Sequence, residues 1–282
     1  MNRLPLMNKT ANEHMPNVLI TGVSSGIGRA LALLMLSEGY RVWGISRRVP
    51  EDLITKDKFQ HASIDLALGE SAVLDIARWL IKENQLRSIL YLFLNAGRFS
   101  QRIANLNHVS LESIQSVMNV NVWANKLILD TFLNAGVHID TCVVSSSIAG
   151  VRARAGNSAY ALSKATLNML IKQYAIEHPE IFFAVLGLCN VHTSLSHQIS
   201  TLPLEGNFPE IESLRTRGIS PGYLVTPHER AHHINLLLKS GIQNHVTSGE
   251  FAEIRHLLNR VQLSEQCHQL SVNCFNYKGE KT

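Results

Sequence analysis

Tyr160 and Lys164 stand four residues apart in Tyr160-Ala161-Leu162-Ser163-Lys164. On a helix that spacing puts both side chains on one face. An ammonium beside a phenol favours the phenolate and lowers the tyrosine pKa from its reference of about 10. Tyr160 is then a proton donor and acceptor near neutral pH. Ser147 lies thirteen residues earlier and ends Ser145-Ser146-Ser147, where its hydroxyl can hold a carbonyl oxygen. The spacing alone is not specific. Tyr277 and Lys281 repeat it, with Ser264 thirteen residues before Tyr277. That copy follows no strand and turn and sits in no sustained helical pattern, so context selects Tyr160 and Lys164.

A second cluster is Thr21-Gly22-Val23-Ser24-Ser25-Gly26-Ile27-Gly28. Glycines between a strand and a helix let backbone approach a pyrophosphate, and the helix N-terminus supplies N–H donors and a positive dipole end. About twenty residues on, an NAD site places a carboxylate for the ribose hydroxyls. Here the residues are Ser46-Arg47-Arg48. Two guanidiniums suit a 2′-phosphate and imply NADP(H); a solvated loop pair is the alternative.

These residues need elements to place them. Apolar runs at Asn17–Thr21, Arg41–Ser46, His61–Asp65, Ser88–Leu94, Thr141–Ser145 and Ile181–Leu188 read as strands. Between them Gly28–Gly39, Ala72–Lys82, Leu111–Leu133 and Ser158–Glu177 carry helical periodicity. The alternation predicts an α/β, Rossmann-like, doubly wound parallel sheet with helices on both faces, in a single domain. That domain is expected over 17–251, with an irregular substrate loop at about 193–227, a leader at 1–16 and a C-terminal extension at 252–282.

Composition narrows the class. Of 282 residues, 45% are hydrophobic and 17% charged, which excludes a disordered chain. A net charge of +4 is too mild to imply nucleic acid. No apolar run approaches the roughly 20 residues that span a bilayer, and Met1–Asn17 has no signal-peptide core. A cytoplasmic protein off the membrane is the expectation. The four Cys have neither a disulfide framework nor CxxC spacing, and the His are scattered, so no metal is expected.

Together with Asn95-Ala96-Gly97 and Asn121, these motifs resemble the short-chain dehydrogenase/reductase family, in its single-domain TGxxxGxG branch. The resemblance covers Asn17 to Thr193. It implies Tyr160 as catalytic acid/base and Lys164 as the group that lowers its pKa and bonds the nicotinamide ribose. Ser147 positions the carbonyl, and Asn121 holds a water linking Lys164 to solvent, with Asn119 as the neighbouring alternative. The resemblance places Asn95, Ala96 and Gly97 beside the adenine ribose. Asp65, with Leu66, bonds the adenine amino group, or else Asp65 caps the next helix. Thr193 contacts the carboxamide, and Val191 is a further coenzyme-binding residue. One departure stands out: the family's Pro-Gly after the sixth strand is Cys189-Asn190 here.

The implied function is NADPH-dependent reduction of a carbonyl to an alcohol, or the reverse. The alternatives are an idle NADP-binding regulator and an epimerase or dehydratase. Arg98, Arg102, Arg152 and Arg154 in the pocket loops suit an anionic small molecule, a keto acid or a carrier-linked acyl group; pairing with acidic neighbours would cancel that reading. His192 and His197 are candidates for substrate contact. The helices over Leu111–Leu133 and Ser158–Glu177 carry apolar residues on more than one face, and the resemblance implies a homodimer or homotetramer built on them.

Overall fold

Val18, Leu19 and Ile20 expose no surface. A strand buried on both faces belongs inside a parallel sheet covered from both sides. The computed structural model describes residues 15–84 and 86–261. In it β1 (Asn17–Thr21), β2 (Arg41–Ser46), β3 (Phe59–Ser63), β4 (Ser88–Leu94), β5 (His138–Ser146), β6 (Phe182–Gly187) and β7 (Phe251–Glu253) form one sheet. All neighbours run parallel, in the order β3-β2-β1-β4-β5-β6-β7. The order reverses between β1 and β4, the place where doubly wound sheets open a crevice at their carboxyl ends.

Helices cover both faces: α1 (Gly26–Ser37), α2 (Glu70–Ile76), α3 (Leu111–Met118, continuing as Ala124–Asn134), α4 (Ser158–Glu177), α5 (Ser194–Thr201), α6 (Pro209–Gly218) and α7 (Pro227–Lys239). Leu19 packs with residues of α2, α3 and α4, whereas Val18 and Ile20 pack with α1 and α7. The period of two along β1 therefore sorts its side chains into the two cores.

Three expectations are corrected. The third strand runs Phe59–Ser63 rather than His61–Asp65. Its first residue fits because Gly44, two positions along from its partner Val42 on β2, has no Cβ: one there would lie 2.7 Å from the Phe59 ring. The stretch 193–227 is not irregular. It holds α5 and α6, and its Leu204–Glu205 pairs in parallel with Ile103–Ala104. Residues 254–261, set in the extension by the sequence reading, form a helix that buries Ile254, Leu257, Leu258 and Val261 against the α1/α7 core. The leader up to residue 14, together with Ser264, Tyr277, Lys281 and the rest of 262–282, lies outside the described residues. Among the described residues no helix is long and apolar enough to cross a membrane, and no group of three or more His, Cys, Asp or Glu is placed to hold a metal ion.

Leu257 is 1% exposed. Leu257→Ala removes its contacts and leaves a cavity, so unfolding in urea is expected to show a loss of about 2–5 kcal/mol. A loss below about 0.5 kcal/mol would place helix 254–261 outside the core.

Candidate active site

Three strand ends are laced together at the switch point. Thr21, closing β1, accepts the backbone N–H groups of Asn95 and Ala96 on its hydroxyl, each at 2.9 Å. Asn95 donates from Nδ2 to the Thr21 carbonyl at 3.2 Å and accepts from the Ser145 hydroxyl of β5 at 3.2 Å. The Asn95 side chain is thus committed to joining β1, β4 and β5. Lys164, 4% exposed on α4, extends the chain: its Nζ donates to the Ser145 carbonyl at 2.7 Å.

α3 is interrupted by a π turn, Asn119–Trp123, which contains Asn121. Such single wide turns recur where a helix must redirect a side chain. Asn121 is fully buried and does not line the cavity. Its Oδ1 accepts from the Arg98 N–H at 2.9 Å, and its Nδ2 donates to the Arg98 carbonyl at 3.0 Å and to the Ser163 hydroxyl at 2.9 Å. These bonds tie the loop after β4 to α4, one residue from Lys164. Gly150 brings the Ser147 turn onto the same helix, since a Cβ there would meet the Lys164 backbone at 2.7 Å.

Tyr160, Lys164 and Ser147 line one cavity of about 1040 Å³ at the carboxyl edge of the sheet. The Lys164 Nζ lies 5.6 Å from the centre of the Tyr160 ring, whose other neighbour is Phe99 at 5.3 Å between ring centres. Burial pushes Tyr160 up to about 12, with hydrogen bonding to Ser147 acting in the opposite direction. Burial also brings Lys164 down to about 8. This corrects the expected lowering of the tyrosine: desolvation of the phenolate is the largest cause of its shift here. Tyr160 therefore keeps its phenolic proton at physiological pH.

The glycine turn occupies the neighbouring wall. Gly22, Ser24, Ser25, Gly26 and Ile27 line the cavity. Gly22 and Gly26 take φ of +80° and +57°, and a Cβ on Gly28 would lie 2.3 Å from the Gly22 carbonyl oxygen. Gly28 is therefore behind the wall, where it lets the turn close on the helix. Ser25 makes no side-chain cap on α1, and the first turn of that helix has no acidic residue. These features fit a dinucleotide pyrophosphate. Arg47, Arg48, Asp65, Leu66, Asn95, Ala96, Gly97, Val191 and Thr193 line the same cavity. The Arg47 guanidinium is 4.0 Å from the Asp65 carboxylate. Asp65 also caps the short turn Leu66–Leu68, accepting from the Ala67 N–H at 3.0 Å, as one of its two readings expected. Thr193 caps α5 in a reciprocal box with Ser196.

The substrate-side expectations divide. Arg98, Arg152 and Arg154 line the cavity, although Arg98 also donates to the Ser116 hydroxyl at 2.9 Å. Arg102 does not line it; both arms of its guanidinium pair with Glu205 across the small two-stranded sheet. His192 and His197 are exposed and off the wall. Arg215, Arg217 and Arg255 line the cavity and were missed. The first two lie on α6, inside the stretch read as irregular. Cys189 and Asn190, where the family's Pro-Gly stands, take φ of 44° and 21°. Both occupy the left-handed region that disfavours side chains. The turn is pinned by Val225, whose N–H donates to the Asn190 carbonyl at 3.0 Å and whose carbonyl accepts from the His192 N–H at 2.9 Å.

A family model described as short chain dehydrogenase matches residues 16–201. An uncharacterized oxidoreductase of Myxococcus xanthus is 30% identical over 169 residues, 56% of this chain and 64% of that protein, so the match spans just under two thirds of this relative. A Bacillus cereus benzil reductase ((S)-benzoin forming) is 30% identical over 230 residues, 75% of this chain and 91% of its own. A Schizosaccharomyces pombe NADPH-dependent 1-acyldihydroxyacetone phosphate reductase is 32% identical over 153 residues, 53% of this chain and half of its own. The crystal structure of a Francisella tularensis short chain dehydrogenase family protein superposes with a TM-score of 0.69 at 22% identity, over 86% of this chain and 97% of that one. The chain belongs to the short-chain dehydrogenases, a family of oxidoreductases that bind a nicotinamide coenzyme.

Proposed function

We propose that this chain is an NADP(H)-dependent oxidoreductase that reduces a carbonyl to an alcohol, or runs the reverse. The observation that carries the reading is a buried neutral Tyr160 sharing a cavity wall with Ser147, beside a Lys164 ammonium anchored on the Ser145 carbonyl. The bound coenzyme supplies or accepts the hydride. Gly22, Ser24, Ser25, Gly26, Ile27, Asp65, Leu66, Asn95, Ala96, Gly97, Val191 and Thr193 are the residues that would hold it, with Arg47 and Arg48 at its 2′-phosphate. NADPH-dependent relatives support the choice of coenzyme. Ser147 holds the substrate oxygen, Tyr160 protonates it, and the Lys164 charge steadies the phenolate left behind.

Arg152 and Arg154 form no ion pair among the described residues and line the cavity. They favour a substrate bearing a carboxylate or phosphate, and the phosphate in the name of the Schizosaccharomyces pombe relative is of that class. On α4, Leu162, Met169 and Ile176 are exposed at seven-residue steps, with Trp123 exposed on α3. We read this stripe as the surface that pairs with a second copy.

Tyr160→Phe is expected to lower kcat about 10²–10⁴-fold with NADPH; full turnover would end the reading. In the wild type, carbonyl reduction should fall as pH rises through about 8, because Lys164 loses the proton that supports the phenolate. A rate that rises steadily through that range would contradict its role. Arg154→Ala should raise KM for a carboxylate- or phosphate-bearing ketone about tenfold or more, with Arg102→Ala near wild type; equal KM values for all three proteins would remove the anionic substrate. Light scattering should give a multiple of the 31.4 kDa chain mass, reduced by Met169→Glu; a wild-type monomer would refute the pairing.

A further inference from the structure

His61 and Ser63 lie on β3 next to the Ser46-Arg47-Arg48 loop, and neither lines the cavity. Both nevertheless hold that loop. The Ser63 hydroxyl donates to the Arg47 carbonyl at 2.8 Å, and the Ser46 hydroxyl donates to the Arg48 carbonyl at 2.8 Å. A hydroxyl has one proton. That of Ser46 is spent on Arg48, so His61 Nε2, 2.9 Å from the Ser46 oxygen, is the donor in that pair. Burial holds His61 below its usual range, so the neutral ring carries its single N–H on Nε2.

The ring is fixed from behind. It stacks on Phe59, with centres 6.3 Å apart and planes 18° apart. Phe59 in turn packs where Gly44 leaves room on β2. A continuous line of contacts therefore runs from Gly44 through Phe59, His61 and Ser46 to the main chain of Arg48. Ser63 reaches Arg47 independently.

The arginine side chains have no comparable restraint. The Arg47 side chain is 71% exposed, and its nearest carboxylate is the loose contact with Asp65. Its direction is inherited from the backbone. Ordering one residue's backbone costs about 1–2 kcal/mol, and that cost falls on ligand binding unless the free protein has already met it.

We propose that His61 and Ser63 are coenzyme-selecting positioning residues. They fix the main chain at Arg47 and Arg48, so that both guanidiniums are presented together to an adenosine 2′-phosphate. This rests on the NADP(H) reading above.

The test is binding without turnover. Calorimetric titration with NADP⁺ and with NAD⁺ is run on the wild type, Ser63→Ala, His61→Leu, His61→Gln and Arg47→Asp. The wild type should prefer NADP⁺, and Arg47→Asp should lose that preference. Ser63→Ala and His61→Leu should each weaken NADP⁺ about three- to tenfold, the worth of one hydrogen bond, and leave NAD⁺ within about twofold. His61→Gln keeps a donor for Ser46 and should recover most of the NADP⁺ affinity. Equal weakening of both coenzymes would show a merely structural role and overturn the proposal. A wild-type preference left undiminished in both Ser63→Ala and His61→Leu overturns the proposal and leaves the NADP(H) reading standing. A wild type without preference removes the coenzyme reading and this proposal with it.

Discussion

The hydrogen bond from Lys164 Nζ to the Ser145 carbonyl fastens the helix that carries Tyr160 to the sheet that carries the glycine turn. Burying the ammonium lowers its pKa from 10.5 to about 8, a penalty on the order of 3 kcal/mol. The Ser145 carbonyl is the acceptor that meets the charge there. The Ser145 acceptor is itself fixed. Its hydroxyl reaches Asn95, and Asn95 reaches Thr21. Breaking the Lys164 contact leaves the ammonium in the interior without that acceptor.

The same burial sets the chemistry. A charged lysine beside a tyrosine suggests an easily formed phenolate, and in water it would be one. Inside the cavity wall both charged forms lose hydration, so the two pKa values, close together at 10.0 and 10.5 in water, cross and move apart to about 12 for the tyrosine and about 8 for the lysine. Tyrosine keeps its proton and lysine keeps most of its own at neutral pH, the state from which the proposed proton transfer starts. Asn121 and Gly150 contribute by geometry: one ties the loop after β4 to α4, and the other lets the Ser147 turn touch α4 backbone to backbone.

Much of this was legible in the residues. β-branched runs marked the strands, and the glycines of 21–28 marked the turn, because both follow from local rules. Helix 254–261 was also legible: Ile254, Leu257, Leu258 and Val261 keep helical spacing, although they lie past the last motif, in the stretch read as an extension. Thr226 and Glu229 likewise have capping-box spacing, and the box closes at the start of α7. Other features were hidden for physical reasons. Arg102 meets Glu205 across 103 positions, a pairing no local pattern encodes. The π turn at Asn119–Trp123 lies where α3 meets α4, and the direction of the Tyr160 shift depends on burial that exists only in the assembled fold.

The central claim is that desolvation, and not the neighbouring ammonium, decides the state of Tyr160 in the free protein. The direct measurement is an ultraviolet titration of tyrosinate absorbance in the wild type, with the Tyr160→Phe titration subtracted. A difference signal with its midpoint near 12 is the predicted result. A midpoint near or below 9, well under the reference of about 10, would show that the lysine dominates and would contradict the account.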